Sequence, residues 1–122
     1  MIRRRRRRPE QEIQRAVIQH LHARGIPNSF AYAVPNGGWR TAIEGAILKG
    51  QGVVPGVPDL AIVAGGRAYY LELKSLTGTL SVPQEHVIEA LRAAGAQVAV
   101  TYGLDDALKQ LEQWGLLRGK VG

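Results

Sequence analysis

Two periodicities alternate along this chain and divide it into elements. Ile13, Val17 and Leu21 recur at helical spacing, so the segment up to Arg24 is predicted helical, with Pro9 suited to the first helical position and Gly25 to the end. Glu10 and Gln14 fall on the same stripe, whereas Glu12 shares its face with Arg15 and Gln19. The phase therefore sends Glu10 toward the core and Glu12 toward water. Ser29 to Val34 reads as a short strand, followed by the turn-rich loop Pro35-Asn36-Gly37-Gly38-Trp39-Arg40. Thr41-Ala42-Ile43-Glu44 is a capping-box pattern opening a short helix that ends near Lys49-Gly50. After the loop from Gln51 to Gly56, the β-branched and aromatic runs Val57 to Val63 and Tyr69 to Lys74 read as strands. Ala64-Gly65-Gly66-Arg67 joins them as a tight hairpin. Leu76 to Leu80 is a loop, and Ser81-Val82-Pro83-Gln84 is a second capping box. Its helix carries Val87, Ile88, Leu91 and Ala94 inward, with Gln84 on the same stripe, and stops at Gly95. Ala96 to Tyr102 is a further strand, and Asp105 is placed to cap a last helix running to about Trp114. The predicted order is α-β-α-β-β-α-β-α, with no internal repeat.

Three charged residues break the apolar pattern. Asp59 lies in the first strand of the hairpin and Glu72 and Lys74 in the second, where a buried sheet tolerates no charge without a use for it. Strand alternation puts Glu72 and Lys74 on one face and Leu71 and Leu73 on the other. Each feature alone has a structural explanation, since Asp after Pro opens strands and Glu-x-Lys is common on a solvated sheet face. Together and in this order, two carboxylates and an ammonium converge at strand ends. That arrangement holds a hard divalent cation and a water beside a phosphodiester.

Composition changes this picture in two places. At 122 residues and 45% hydrophobic content, residues 9–122 are expected to form one domain of ordinary size. The net charge of +6 is local, because Arg3, Arg4, Arg5, Arg6, Arg7 and Arg8 carry it and the remaining ten basic residues balance ten acidic ones. Residues 1–8 are expected to be a disordered basic arm, suited to phosphate contact through counterion release; a solubilising tail and a translation-start artefact are the alternatives. Cysteine is absent, which removes thiol catalysis, zinc-thiolate sites and disulfides and is compatible with a reducing cytoplasm. No apolar run approaches the ~18 residues of a membrane span, so neither export nor insertion is expected.

The residues so far assembled are Asn36-Gly37-Gly38-x-Arg40, Gly52-Val53-x-Pro55-Gly56-Val57-Pro58-Asp59-Leu60, Glu72-Leu73-Lys74 and Gly78-x-Leu80-Ser81-x-x-Gln84. In this order they resemble the VRR-NUC family, a branch of the PD-(D/E)xK nuclease superfamily that includes small stand-alone phage and bacterial proteins. The resemblance runs from Glu10 to about Tyr102. It implies an α/β fold with a restriction-endonuclease-like core, a mixed central β-sheet flanked by helices in αβββαβ order, here with one added short helix before Asp59. It also implies that Asp59, Glu72 and the backbone carbonyl of Leu73 bind Mg²⁺ or Mn²⁺, and that Lys74 orients or deprotonates the attacking water and offsets phosphate charge. Glu10 corresponds to the family's first-helix glutamate, although a helix-dipole role accounts for it equally. Gln84 matches a downstream glutamine that positions Lys74 or a water, with capping as the alternative. Asn36, Arg40 and Lys49 would line the DNA side. Trp39 suits either base stacking or anchoring of its own loop. His20, His22 and His86 show no ligand pairing.

The expected activity is metal-dependent endonucleolytic cleavage of DNA, directed by DNA structure rather than sequence, because no recognition helix or zinc module is present for base readout. Small stand-alone members resemble Holliday junction resolvases, which implies a two-fold homodimer acting on branched DNA. The alternatives are a flap or nicking nuclease without junction preference, a non-catalytic DNA-binding module, and a basic-arm RNA-binding protein.

Overall fold

A computed structural model describes residues 10–35 and 41–119. Its elements follow the predicted order: α1 Glu10–Arg24, β1 Ser29–Ala33, α2 Ala42–Gly50, β2 Leu60–Ala64, β3 Arg67–Lys74, α3 Val82–Ala93, β4 Gln97–Tyr102 and α4 Leu104–Gln113. The four strands form one mixed sheet in the order β1-β2-β3-β4. The first two pairings are antiparallel, and β3 and β4, joined through α3, are parallel. A two-residue turn at Gly65-Gly66 closes the β2–β3 hairpin in the register Ala64 to Arg67.

Alternation along the strands sorts the two faces. Leu60, Ile62, Ala64, Tyr69, Leu71 and Leu73 form one face and pack with Ile13 and Val17 of α1, Ala107, Leu108 and Leu111 of α4, and Leu116 and Leu117 beyond it. Burial of these side chains supplies the main driving force for the layer, at about 1.5–3 kcal/mol for each large one. The C-terminal segment also ties down the end of α1, where Arg24 donates to Glu112 (2.9 Å) and to the carbonyl of Arg118 (2.7 Å). On the opposite face α3 buries Ile88, and Glu72 and Lys74 lie beneath its N-terminal end. Among the described residues no helix is long and apolar enough to cross a membrane.

Three local expectations are corrected. Glu10 is exposed despite its phase, because the first turn of α1 extends past the layer that buries Ile13 and Val17. Ala94 is exposed as the C-cap of α3, one turn beyond the buried stripe. Gly103, not Asp105, is the N-cap of α4 and contributes no side-chain cap; Asp105 lies in the first turn, while Asp106 accepts the backbone N–H of Tyr102 at 2.9 Å.

Candidate active site

The hairpin ladder ends before the charged residues do, and that mismatch builds the site. The last β2–β3 register pair is Leu60 with Leu71. Asp59 precedes β2, and Leu73 lies beyond the paired stretch, so the Leu73 N–H has no strand partner on that side. The Asp59 carboxylate takes it instead, Oδ2 accepting at 2.9 Å. Reciprocally, Glu72 Oε1 accepts the N–H of Asp59 at 3.2 Å. The N–H and C=O of one strand residue face the same neighbour, so the Leu73 carbonyl is aimed to the Asp59 side. The Asp59 carbonyl accepts from Val34 at 2.8 Å, which ties this corner to the end of β1.

Gln84 completes the cluster from the other side. As the third residue of α3 it closes a reciprocal capping box: its N–H donates to Ser81 Oγ at 3.3 Å, and its Oε1 accepts from the Ser81 N–H at 2.9 Å. The same Oε1 accepts from Lys74 Nζ at 2.9 Å, and Nε2 donates to Glu72 Oε2 at 2.7 Å. Capping and positioning are thus one arrangement, not alternatives. Lys74 Nζ is also 3.6 Å from Glu72 Oε2, and both side chains are buried.

Gly56 sets how closely α3 approaches. Its φ is +89°, and a β-carbon there would lie 2.7 Å from the Pro83 carbonyl and 2.8 Å from the Gln84 nitrogen, a collision with backbone. In the sequence this glycine is loop punctuation and part of the Gly52-to-Leu60 block that carries the family resemblance, with nothing to show that it meets α3.

The electrostatics are unbalanced. Glu72 is 2% exposed. Burial, reinforced by the Asp59 carboxyl group, pushes its pKa from the ordinary 4.5 up to about 8, against the opposing pull of Lys74 and the Asp59 N–H. Ionising Glu72 beside Asp59 would set two carboxylates against one ammonium. The donor set is all oxygen, suits a hard cation, and retains lone pairs beyond the hydrogen bonds named. Among the described residues no group of three or more His, Cys, Asp or Glu side chains forms a metal cage. Two carboxylates and a carbonyl nevertheless fit Mg²⁺, which commonly keeps several waters and uses only one or two carboxylates.

The structure therefore brings together Asp59, Glu72, Leu73, Lys74 and Gln84. It leaves Glu10 exposed on the first turn of α1 and Lys49 exposed near the end of α2. Arg3, Arg4, Arg5, Arg6, Arg7, Arg8, Asn36 and Arg40 lie outside the described residues.

The class defined by these features is an α/β protein with a four-stranded mixed sheet, an antiparallel hairpin bearing Asp and Glu-x-Lys followed by a parallel return through a helix. Solved structures resemble it in fold. One, described as a VRR_NUC domain protein, superposes with a TM-score of 0.74 at 22% identity over 89% of this chain and 89% of its own. Another, described as a VRR_NUC domain, gives 0.61 at 19% identity over 86% of this chain and 96% of its own. At these identities the likeness is one of fold, and this chain has the VRR_NUC fold. No family model and no curated protein matches the sequence.

Proposed function

We propose that this protein is a nuclease that hydrolyses phosphodiester bonds of DNA with the help of Mg²⁺ or Mn²⁺. The observation that carries the reading is the hydrogen-bonded Asp59–Glu72–Lys74–Gln84 cluster at the strand ends, in which Glu72 and Lys74 are buried. Asp59, Glu72 and the Leu73 carbonyl would hold the ion, which would supply Lewis-acid chemistry at the phosphate and at a water. Lys74, fixed by Gln84 Oε1, orients the attacking water and offsets charge developing on the phosphate. Gln84 Nε2 keeps the Glu72 carboxylate turned toward the site. Glu10 is assigned as the carboxylate contributed by α1, on the family resemblance.

Lys49, Asn36, Arg40 and the arginines 3–8 are assigned to the DNA phosphates. Endonucleolytic cutting, a preference for branched DNA such as Holliday junctions, and a two-fold homodimer rest on the same resemblance. A cytoplasmic setting is compatible with a chain without cysteine. The test is incubation with labelled junction, flap, splayed and linear duplex DNA in Mg²⁺ or Mn²⁺ and in chelator. Metal-dependent cuts within branched substrates are expected. Binding without cleavage of any substrate in either metal would assign the fold to a non-catalytic DNA-binding module.

A further inference from the structure

Beside the Lys74 end of β3 lies an apolar cavity of about 410 Å³, lined by Ile13, Leu76, Thr77, Tyr102, Gly103, Leu104 and Asp105. Its volume falls within the ~300–1,000 Å³ usual for ligand sites. It opens at the C-terminal ends of the parallel strands β3 and β4, where open α/β sheets bind their ligands. Tyr102 is the register partner of Lys74, one strand spacing away, and Gly103 donates its N–H to the Lys74 carbonyl at 2.8 Å. Leu76, two residues past Lys74, is 78% exposed, and Tyr102 is 39% exposed. Neither is there to complete a core.

We propose that this cavity receives one unstacked nucleobase of the DNA being cut, with Leu76 as the wedge that enters the base stack and Tyr102 as the ring on which the displaced base rests. The proposal rests on the nuclease reading, because Lys74 is what brings a phosphate to the cavity mouth. Three features favour a base over the backbone as occupant. The lining contains no Lys or Arg among the described residues, and Asp105 at the rim repels phosphate. A carboxylate there instead accepts from the ring and exocyclic N–H groups of a base. Exposed apolar side chains are also the groups that proteins insert between base steps, and aromatic rings are the usual platform for a freed base.

The backbone beside Leu76 leaves room for it. Gly103 has φ +85°, and a β-carbon there would lie 3.0 Å from Leu76 Cδ2, so the glycine lets Leu76 lean across the end of β4. The Asp106 carboxylate, by accepting the Tyr102 N–H, fixes the point at which the tyrosine leaves the strand.

The test is a cycle of protein and DNA changes. Once the wild-type cut is mapped, abasic sites replace single nucleotides on either side of it, and kcat/KM is measured for wild type, Tyr102→Phe and the Leu76→Ala/Tyr102→Ala double variant. For wild type, one abasic position should lower kcat/KM about tenfold, the scale of one base–aromatic stack. The double variant should lose the same factor on intact DNA and nothing further on that abasic DNA, while Tyr102→Phe behaves as wild type. Losses that multiply independently, or a double variant equal to wild type on intact DNA, would overturn the proposal and leave the cavity to another occupant, such as a segment of this chain. The same cycle is run in binding, by anisotropy of a short single-stranded oligonucleotide. A wild type that cuts nothing would then defeat the nuclease reading, while the binding cycle still decides for or against the base site.

Discussion

Lys74 is buried between a carboxyl group and an amide oxygen, and such a group keeps its geometry only while both partners remain. Its ammonium is 3.6 Å from Glu72 Oε2 and is held by a side chain that also grips Glu72, so its place is defined to within a hydrogen bond. A positioned acid–base or electrostatic group of this kind contributes about 10²–10⁴ in rate. Lys74→Ala should therefore cleave DNA slower by that factor at saturating metal while binding metal and DNA, as read by single-turnover kinetics and calorimetry. Rates within a few fold of wild type would make the lysine structural. Asp59, Glu72 and Lys74 are legible in the sequence because charge inside an apolar strand is conspicuous, and strand alternation alone places Glu72 with Lys74. The exposure of Glu10 is not legible in the same way. Helical phase gives a direction but not a depth, and the core ends one turn before the helix does.

The N-terminus of α3 acts as a unit. Ser81 fixes Gln84 through the capping box, and Gln84 fixes Glu72 and Lys74. Removing the cap hydroxyl with Ser81→Ala should cost about 1 kcal/mol of stability yet leave both Gln84 side-chain contacts available. Gln84→Leu leaves Glu72 and Lys74 without their shared partner. Cleavage should fall far more in Gln84→Leu than in Ser81→Ala when each is compared after correction for folded fraction by thermal melts. Equal losses would reduce Gln84 to a cap. The second capping box was readable from Ser81-x-x-Gln84, and the helix phase pointed Gln84 inward. The close approach secured by Gly56 was not, because it depends on a loop and a helix that meet only in the folded chain. The start of α4 misled for a similar reason: a carboxylate three residues past a strand suits a cap, but the chain turns at Gly103 with positive φ and Asp106 bonds back to the strand instead.

Across the whole molecule, the unbalanced site should make stability depend on pH. In the fold Glu72 keeps its proton up to about pH 8, whereas its ordinary value is near 4.5. Between these values the folded state binds one proton more than the unfolded state, so stability in chelator falls as pH rises from about 5 to about 8 and then levels off. Below about 4.5 the contribution is fully present. Thermal melts across this range should show the decline in wild type and a flatter profile in Glu72→Gln, the difference isolating this group from the other titrating residues. Parallel profiles would mean that Glu72 ionises normally in the fold. The divalent ion should reverse the trend, since holding it requires the carboxylate form and binding then releases a proton below pH 8.

Whether Asp59 and its neighbours hold a divalent ion with which this chain cuts DNA is decided by single-turnover cleavage of a labelled branched DNA in Mn²⁺ by wild type and Asp59→Asn. The amide leaves a comparable shape but removes the charge that holds a hard cation. Wild type should cut only when metal is present, and Asp59→Asn, folded as judged by its melt, should cut at no more than about a hundredth of that rate. Cleavage by wild type in chelator, or equal rates for the two proteins in Mn²⁺, would contradict the account.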